Sequence, residues 1–240
     1  MLKLLDLTLD TPAENLALDE ALLDAAEASD QPSEVLRIWE SPQPMVILGR
    51  SSRVADEVDA RPCQQLGIPV LRRCSGGAAV VAGPGCLMYA VVLSHASWPP
   101  VRMITEAHRL ILGVLVQTLR PLVPGVGTSG TSDLTVDGKK VSGNSLRCRR
   151  THLLYHGTLL YDFQLGLISR CLRLPPRQPD YREGRSHEAF LNNFGIRAAD
   201  LRTALIRGWE AGDWCLAWPE AATRQLVAAK YGQKSWNYCL

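Results

Sequence analysis

Strand-like and helix-like patterns alternate irregularly along this chain of 240 residues, and that order constrains the fold more than any single motif. A doubly wound sheet or an α/β barrel requires a regular repeat of strand and helix. The irregular order instead predicts the α+β class, with a mixed, mainly antiparallel β-sheet flanked by helices. A single domain over residues 1–240 is expected, because this length supports a substantial core and no linker is evident.

Local patterns predict the elements of this fold. Strands are expected over residues 2–9, 35–39, 45–48, 69–73, 133–136, 139–143 and 153–161, and helices over residues 11–28, 56–66, 105–122, 198–209 and 220–231. The first helix has a strong start signal, because Thr11 and Glu14 fit a capping box and Pro12 occupies the first helical position.

Two turn signals predict hairpins. An Asp-Gly pair at residues 137–138 lies between apolar runs, and this pair favours a type I′ turn. Gly-Pro-Gly at residues 83–85 separates the apolar runs 78–82 and 87–93, so a second hairpin is expected there.

Composition and charge narrow the classes of function. The net charge is +2 and the basic residues are dispersed, which argues against a protein that coats nucleic acid. The longest apolar stretch, residues 78–93, is interrupted by glycine and proline and is too short to span a bilayer. Seven cysteines without Cys-x-x-Cys spacing are typical of reduced thiols. We therefore expect a cytoplasmic protein that binds neither nucleic acid nor membrane.

The segment 71–81 carries the strongest functional signal. Arg72 and Arg73 precede a Ser-Gly-Gly turn, and small and β-branched residues follow. Glycine allows the backbone to approach a ligand closely, and consecutive N–H groups in such a turn bind anions. The segment is thus a candidate site for a carboxylate or a phosphate; a solvated Gly-Gly hairpin is the alternative that these residues alone leave open.

Further motifs occur in a fixed order over nearly the whole chain: Glu14-Asn15-Leu16-Ala17, Leu36-Arg37-Ile38-Trp39, Val46-Ile47-Leu48-Gly49-Arg50, Ser132-Asp133-Leu134, Gly138-Lys139-Lys140-Val141-Ser142-Gly143-Asn144, His156-Gly157-Thr158-Leu159-Leu160, Lys230-Tyr231-Gly232 and Trp236-Asn237-Tyr238. Together with the segment 71–81, this ordered set resembles the lipoate-protein ligase branch of the biotin/lipoate protein ligase and octanoyltransferase superfamily. Each motif is weak alone, whereas their order and spacing are specific.

The resemblance implies a catalytic domain related to the class II aminoacyl-tRNA synthetases and biotin protein ligases. It implies that lipoate and ATP, with Mg²⁺, form lipoyl-adenylate, and that the acyl group then passes to a lysine of a lipoyl domain or of an H-protein-like acceptor. Lys140 matches the active lysine of the family. The implied substrate- and nucleotide-binding residues are Arg73, Ser75, Gly76, Gly77, Ala78, Asp133, Ser142, Gly143, His156 and Gly157, and no resident metal site is expected.

The chemistry independently favours a fixed ammonium such as that of Lys140. Joining a carboxylate to a phosphate brings two anions together, and the transition state concentrates charge on oxygen atoms. A preorganised cation and backbone N–H groups stabilise that charge. A surface lysine in a hairpin is the alternative that the Asp-Gly turn by itself would favour.

Departures from the family pattern leave the activity open. Ala78 stands where a third glycine is usual, Ala82 and Gly83 stand where His-Asp is usual, and Cys86 replaces an asparagine. These changes bear on the use of ATP. Larger ligases of the family continue into an accessory domain, so the resemblance leaves two alternatives: a stand-alone catalytic domain, or one that needs a separate accessory protein for adenylation.

Two alternatives follow. The first is an octanoyltransferase, which uses a cysteine nucleophile and no ATP. The positions that match its cysteines fall near Arg177 and at residues 127–129, and neither is cysteine; Cys171 and Cys148 lie nearby and are interpreted as structural. The second is a partner protein that binds the acceptor without catalysis.

The segment 179–188 also carries polar residues. His187 and Glu188 are too few for a metal site, and Arg185 is a candidate contact to substrate or acceptor. The sequence does not distinguish lipoate from octanoate, nor does it identify the acceptor.

Overall fold

The computed structural model describes residues 2–29, 33–214 and 217–240. The strands in these residues are β1 Lys3–Asp6, β2 Val35–Glu40, β3 Met45–Leu48, β4 Val70–Arg72, β5 Val80–Ala82, β6 Cys86–Ser94, β7 Val126–Ser129, β8 Asp133–Val136, β9 Lys139–Cys148, β10 His152–Leu160 and β11 Gly212–Trp214. The helices are α1 Pro12–Ala28, α2 Val54–Glu57, α3 Ala60–Gln65, α4 Ile104–Leu119, α5 Gly166–Cys171, α6 His187–Phe190, α7 Ala198–Gly208, α8 Glu220–Leu226 and α9 Lys234–Asn237. Short 3₁₀ helices occupy Pro99–Arg102 and Asp180–Arg182, and a π-helical turn occupies Val227–Tyr231.

The strands form two sheets. The large sheet has the order β11-β1-β2-β6-β10-β9-β8-β7, and the small sheet has the order β4-β3-β5. Parallel pairing joins β1 to β2, β1 to β11 and β3 to β4, while the remaining pairs of neighbouring strands are antiparallel. The predicted α+β class with a mainly antiparallel, mixed sheet is therefore confirmed.

The two faces of the large sheet pack against different layers. Leu36, Tyr89 and Tyr155 face a core that also contains side chains of α4 and α7. Alternate residues of the same strands, such as Met88 and Leu160, face a second core that is shared with the small sheet. Because side chains alternate along a strand, one sheet thus serves both a closed helical layer and the layer that holds the site.

Local sequence signals correctly predict the start of α1 and the turn between β8 and β9. Thr11 caps α1 with both hydrogen bonds of a capping box. Asp137 and Gly138 have φ values of 50° and 71° between β8 and β9, as a type I′ turn requires.

The hairpin predicted at residues 83–85 is wrong. β5 pairs with β3 in the small sheet, whereas β6 pairs with β2 and β10 in the large sheet. The connection instead crosses between sheets at Gly85, which has φ of 89° and lies so close to the chain that a Cβ would be 2.2 Å from the carbonyl oxygen of Asp162. The turn residues were recognised, but pairing is decided by the burial of both strands in different sheets.

The single helix predicted over residues 56–66 is interrupted. Val58 forms a bridge to Leu172, and the side chain of Asp59 then caps the new helix α3. In the part of the chain that the structure describes, no helix is both long and apolar enough to cross a membrane.

Candidate active site

A cavity of about 200 Å³ lies between the small sheet and the adjoining face of the large sheet. Its apolar wall consists of Leu16, Ile47, Val81, Met88, Leu160, Ile168 and Leu172. Its other end is polar, with Asp133, Lys140, Arg173, Arg177, Arg182 and His187. A cavity with an apolar interior and a cationic end suits an amphipathic acid.

The register of the large sheet sets the floor of the cavity. On β10, His156 and Thr158 project to the cavity side, and in the antiparallel pairing Thr158 lies opposite Met88 of β6. Tyr155, which precedes His156, belongs to the core on the other face. The strand pattern thus brings polar and apolar groups to the same surface at spacings of two residues.

Lys140 lies at the polar end, where the β8–β9 hairpin brings it to Asp133. Its ammonium Nζ is 2.8 Å from Oδ1 of Asp133, and the Lys140 side chain is 24 % exposed. The hydroxyl of Tyr181 donates to Oδ2 of the same carboxylate at 2.7 Å. A Cβ at Gly143 would lie 2.8 Å from Nζ, so a glycine there leaves the space that the ammonium occupies.

Residues 74–78, here called the glycine loop, form a second part of the polar boundary. Gly77 and Ala78 line the cavity and Gly77 has φ of 88°. Among the residues that the structure describes, none accepts a hydrogen bond from the N–H groups of Gly76, Gly77 or Ala78. These donors are therefore free to bind an anion.

Arg73 supports the glycine loop from within. Its guanidinium donates to the carbonyl oxygens of Ile47 at 3.1 Å and Ala78 at 3.0 Å, and also to that of Gly76. Burial lowers the pKa of Arg73 to about 10, so it remains a cation near neutral pH. Most of its donors are committed to the loop, and its role is structural support beside the cavity.

A second loop packs tightly on the first. A Cβ at Gly49 would lie 1.8 Å from the carbonyl oxygen of Gly77, so only glycine allows this approach. The hydroxyl of Ser52 donates to the same oxygen at 3.1 Å. The carbonyl of Gly77 is thereby fixed against this second loop.

Residues 173–191, here called the mouth segment, cover the cationic end. Arg182 stacks on the ring of Phe190 at 4.6 Å. His187 contacts the carbonyl oxygen of Arg173 through Nε2 at 3.2 Å, and burial lowers the pKa of His187. Arg185, a candidate contact in the sequence, does not line the cavity and bonds instead to carbonyl oxygens including that of Tyr181.

The structure brings most of the predicted site residues together. The cavity is lined by Arg73, Gly77, Ala78, Asp133, Lys140, Ser142, Gly143, His156 and Gly157. Ser75 and Gly76 do not line it: the side chain of Ser75 is buried, and the carbonyl of Gly76 accepts from Ser145 at 2.9 Å.

Some lining residues were missed by sequence reasoning. The arginines at 173, 177 and 182 follow α5 in a segment rich in proline and charge, and this composition was the available signal. No sequence motif marked Glu57, which lies at the end of the short helix α2. Its carboxylate accepts a hydrogen bond from the N–H of Ala79 at 2.5 Å.

The departures at residues 82, 83 and 86 lie away from the cavity. Ala82 and Cys86 are fully buried in the core, and Gly83 packs against Pro44. Only Ala78 of the departing positions lines the cavity. Three of the four differences from the family pattern therefore affect packing in the core, and only the difference at Ala78 affects the cavity.

The cysteines in the described part of the chain do not line the cavity. Burial raises the pKa of Cys74 and of Cys86 to about 12, which suppresses their thiolates, and Cys148 is exposed outside the cavity. Within the described ranges there is also no group of three His, Cys, Asp or Glu residues placed to bind a metal ion.

Comparisons with known proteins show similarity to one family. The model of the lipoyl protein ligase A/B catalytic domain matches residues 11–194. The octanoyltransferase LipM of Carboxydothermus hydrogenoformans is 28% identical, with 94% of each chain covered. The chain is also similar to a solved bipartite lipoate protein ligase of Thermoplasma acidophilum (TM-score 0.85, 26% identity, 99% of this chain and 96% of the other). A lipoate-protein ligase A solved with bound ATP has a TM-score of 0.83 and 25% identity, over 99% of this chain and 98% of the other.

Proposed function

This chain belongs to the family of lipoyl protein ligase A/B catalytic domains, and from that premise we propose that it is an ATP-dependent lipoate-protein ligase. It activates lipoate as lipoyl-adenylate and transfers the acyl group to a lysine of an acceptor lipoyl domain or H-protein-like domain. The observation that carries the proposal is that the ammonium of Lys140 and the free N–H groups of the glycine loop bound one cavity with an apolar wall.

The distribution of apolar and polar residues favours one orientation of lipoate in this cavity. An acyl chain of medium length would lie along the apolar wall, where Met88, Leu160 and Ile168 remove it from water. Its carboxylate would then reach the polar end, between the glycine loop and Lys140. The proposal therefore assigns Lys140 to the reacting group and the two sheets to recognition of the tail.

Adenylation needs charge stabilisation at that end. An oxygen of the lipoate carboxylate forms a bond to the α-phosphorus of ATP, and the bond to the leaving pyrophosphate breaks. Lys140 and the N–H groups of Gly77 and Ala78 would stabilise the negative charge on the oxygens in the transition state. In the second step the neutral amine of the acceptor lysine attacks the acyl carbon, AMP leaves, and the amine loses a proton.

Mg²⁺ is compatible with the residues present. Magnesium is commonly held by one or two carboxylates together with substrate phosphates and water. Asp133 is the carboxylate at the polar end, beside Lys140. When bound with ATP, the ion would supply neutralisation of phosphate charge, and this chain would contribute Asp133 to its binding.

Two similarities support the cofactor and partner assignments. One solved relative binds ATP, and another is described as a bipartite ligase with its E2 lipoyl domain. We therefore include a lipoyl-domain acceptor, a separate accessory protein and a cytoplasmic location in the proposal.

An ATP-independent octanoyltransferase is the second candidate, because the LipM relative covers nearly all of this chain. A thioester mechanism would need a cysteine thiolate beside the acyl group. The described part of the cavity lining offers none. That chemical difference favours the ligase.

One experiment separates the candidates. A recombinant lipoyl domain is incubated with the protein, lipoate and ATP, and its intact mass is measured; a parallel reaction contains octanoyl-carrier protein without ATP. The proposal expects a lipoyl mass increase that requires ATP, with release of pyrophosphate. Octanoyl transfer without ATP would establish the transferase. Binding of the lipoyl domain with neither reaction, also after addition of an accessory subunit, would establish a non-catalytic partner.

A further inference from the structure

Three buried side chains, here called the Ser75 anchor, join the glycine loop to the large sheet and to α1. The anchor consists of Asp19, His156 and Ser75, whose exposed fractions are 1%, 6% and 1%. Oδ2 of Asp19 lies 3.0 Å from Nδ1 of His156. On the opposite edge of the ring, Nε2 lies 2.6 Å from Oγ of Ser75. Residues distant in sequence thus form one continuous hydrogen-bonded set.

The inner end of the anchor is a fixed anion. Oδ1 of Asp19 lies 2.5 Å from Nη1 of the fully buried Arg37. Arg37 donates further to the carbonyl and side-chain oxygens of Asn15, at 2.6 and 2.7 Å. A carboxylate facing Nδ1 favours the tautomer that carries its proton there. Nε2 of His156 is then an acceptor, and the hydroxyl of Ser75 donates to it.

The outer end of the anchor sets the direction of the glycine loop. Oγ of Ser75 accepts from Nε of Arg73 at 3.1 Å while it donates to His156. The hydroxyl of Ser75 is therefore held in one orientation by a partner on each side, Arg73 as donor and His156 as acceptor. Two residues later the backbone reaches Gly77, which lines the cavity and whose N–H has no protein acceptor among the described residues.

We propose that Asp19 and Ser75 are positioning residues of the site: through His156 they hold the glycine loop so that its free N–H groups face the acyl carboxylate. The identity of that ligand rests on the proposed function; the mechanical role does not. Ser-His-Asp sets can also activate a nucleophile. Here Ser75 does not line the cavity and its oxygen has partners on both sides, so it acts on the loop and not on the acyl group.

The test compares Asp19→Asn and Ser75→Ala with Glu20→Gln. Glu20 is a suitable control because it is a buried carboxylate at the next position of α1 that binds Tyr231 and Lys230 instead of the anchor. Its longer contact with Nη2 of Arg147, at 3.8 Å, is separate from the hydrogen bond that Nη1 of Arg147 donates to the carbonyl of Cys74 at 3.0 Å. The dissociation constant for lipoate is measured by calorimetry, and the rate of tryptic cleavage after Arg73 is measured in the native protein. Circular dichroism establishes that each variant is folded.

We expect Asp19→Asn and Ser75→Ala to weaken lipoate binding by about tenfold, the scale of losing one hydrogen bond in a charged network. Cleavage after Arg73 should accelerate in both, whereas Glu20→Gln should leave affinity and cleavage at wild-type values. A downfield imidazole N–H proton resonance, assigned by its loss in His156→Gln, should also disappear in Asp19→Asn and persist in Glu20→Gln.

Wild-type affinity and cleavage in folded Ser75→Ala would overturn the proposal, even if Asp19→Asn did not fold. Equal acceleration in Glu20→Gln would overturn it as well, because the effect would then report loss of stability. If wild-type protein binds neither lipoate nor octanoate, the proposed function fails, and the cleavage rates alone still decide whether the anchor holds the loop.

Discussion

Asp19 and Asp133 each bind a cation through one carboxylate oxygen and a second side chain, His156 or Tyr181, through the other, but they occupy opposite environments. Asp19 and its partner Arg37 have side chains that are 2% and 0% exposed. Asp133 and its partner Lys140 have side chains that are 10% and 24% exposed, and both line the cavity. The same pattern of charges is enclosed in one place and accessible to a ligand in the other.

The remaining bonds of each cation explain what this difference means. Arg37 makes further hydrogen bonds to Asn15 and to the carbonyl of Leu7, so both of its Nη atoms are engaged within the fold, while its Nε is buried without a partner among the described residues. Lys140 has Asp133 as its one side-chain partner among the described residues. An accessible ammonium with two donors to spare can bind an incoming anion, whereas a guanidinium that is fully buried in the fold cannot. We therefore infer that the Asp19–Arg37 pair stabilises the fold, whereas the Asp133–Lys140 pair takes part in ligand binding and catalysis.

The largest expected effect is on the enclosed pair. Arg37→Ala leaves the carboxylate of Asp19 buried without its cation, which should lower the free energy of unfolding by about 3–5 kcal/mol. The control Arg109→Ala removes an exposed pair with Glu106 and should change it by less than about 1 kcal/mol. Urea denaturation measures both. Equal losses would abolish the distinction drawn between the two environments.

The accessible pair should govern turnover. Lys140→Ala should lower lipoate-dependent pyrophosphate release by about a hundredfold or more, the scale of losing one preorganised donor in a transition state. Lys139→Ala is the matched control, because Lys139 is exposed on the same hairpin and does not line the cavity. Near-normal turnover of a folded Lys140→Ala protein would contradict the assignment.

A smaller effect is expected at the partner of Lys140. Asp133→Asn removes the anion that orients the ammonium, and the loss of a charged hydrogen bond should reduce turnover by about tenfold. Asp137→Asn, in the turn of the same hairpin, tolerates the change because asparagine also adopts positive φ. Steady-state kinetics of the two variants provide the comparison; equal activity would remove Asp133 from the site.

Tyr181 should contribute less. Tyr181→Phe removes one hydrogen bond to Asp133 and should lower stability by about 0.5–1.5 kcal/mol. Tyr161→Phe removes a similar bond to Glu40 away from the cavity. The two should lose similar stability, and only Tyr181→Phe should raise the KM for ATP or lipoate. A KM change in Tyr161→Phe of the same size would show that general loosening is the cause.

Thiol modification should have no effect on ligase activity. Since burial raises the pKa of Cys74 and Cys86 to about 12, their thiolates form only well above neutral pH. At pH 8 iodoacetamide should label the exposed Cys148 and Cys239, as peptide mapping would detect. Loss of acyl transfer upon labelling would instead indicate a cysteine-dependent transferase.

Features that depend on residues close together in the sequence were predicted correctly, whereas features that depend on residues far apart were not. The capping box of α1 and the turn at Asp137 and Gly138 are local, and both were predicted. The pairing of β5 was not, because the strand chooses its partner according to which sheet buries it. The signal at residues 83–85 specified a turn without specifying what it joins.

The same limit applies to the site. Lys140 and the glycine loop were found because they lie in short motifs that resemble a family. Asp19 was missed, although it lies within the first helix, because its importance depends on two residues far along the chain, Arg37 and His156. An aspartate in a helical pattern reads as a solvated side chain until tertiary contacts enclose it.

The contact between Gly49 and Gly77 bears on how such an enzyme could diverge or be redesigned. Any side chain at Gly49 would displace the neighbouring backbone, so this position offers no route to altered selectivity. Met88 and Ile168, by contrast, line the cavity with side chains that can be exchanged for larger or smaller ones. New acyl preferences would have to arise through those walls, while the glycine loop, which we propose binds the carboxylate, stays constant.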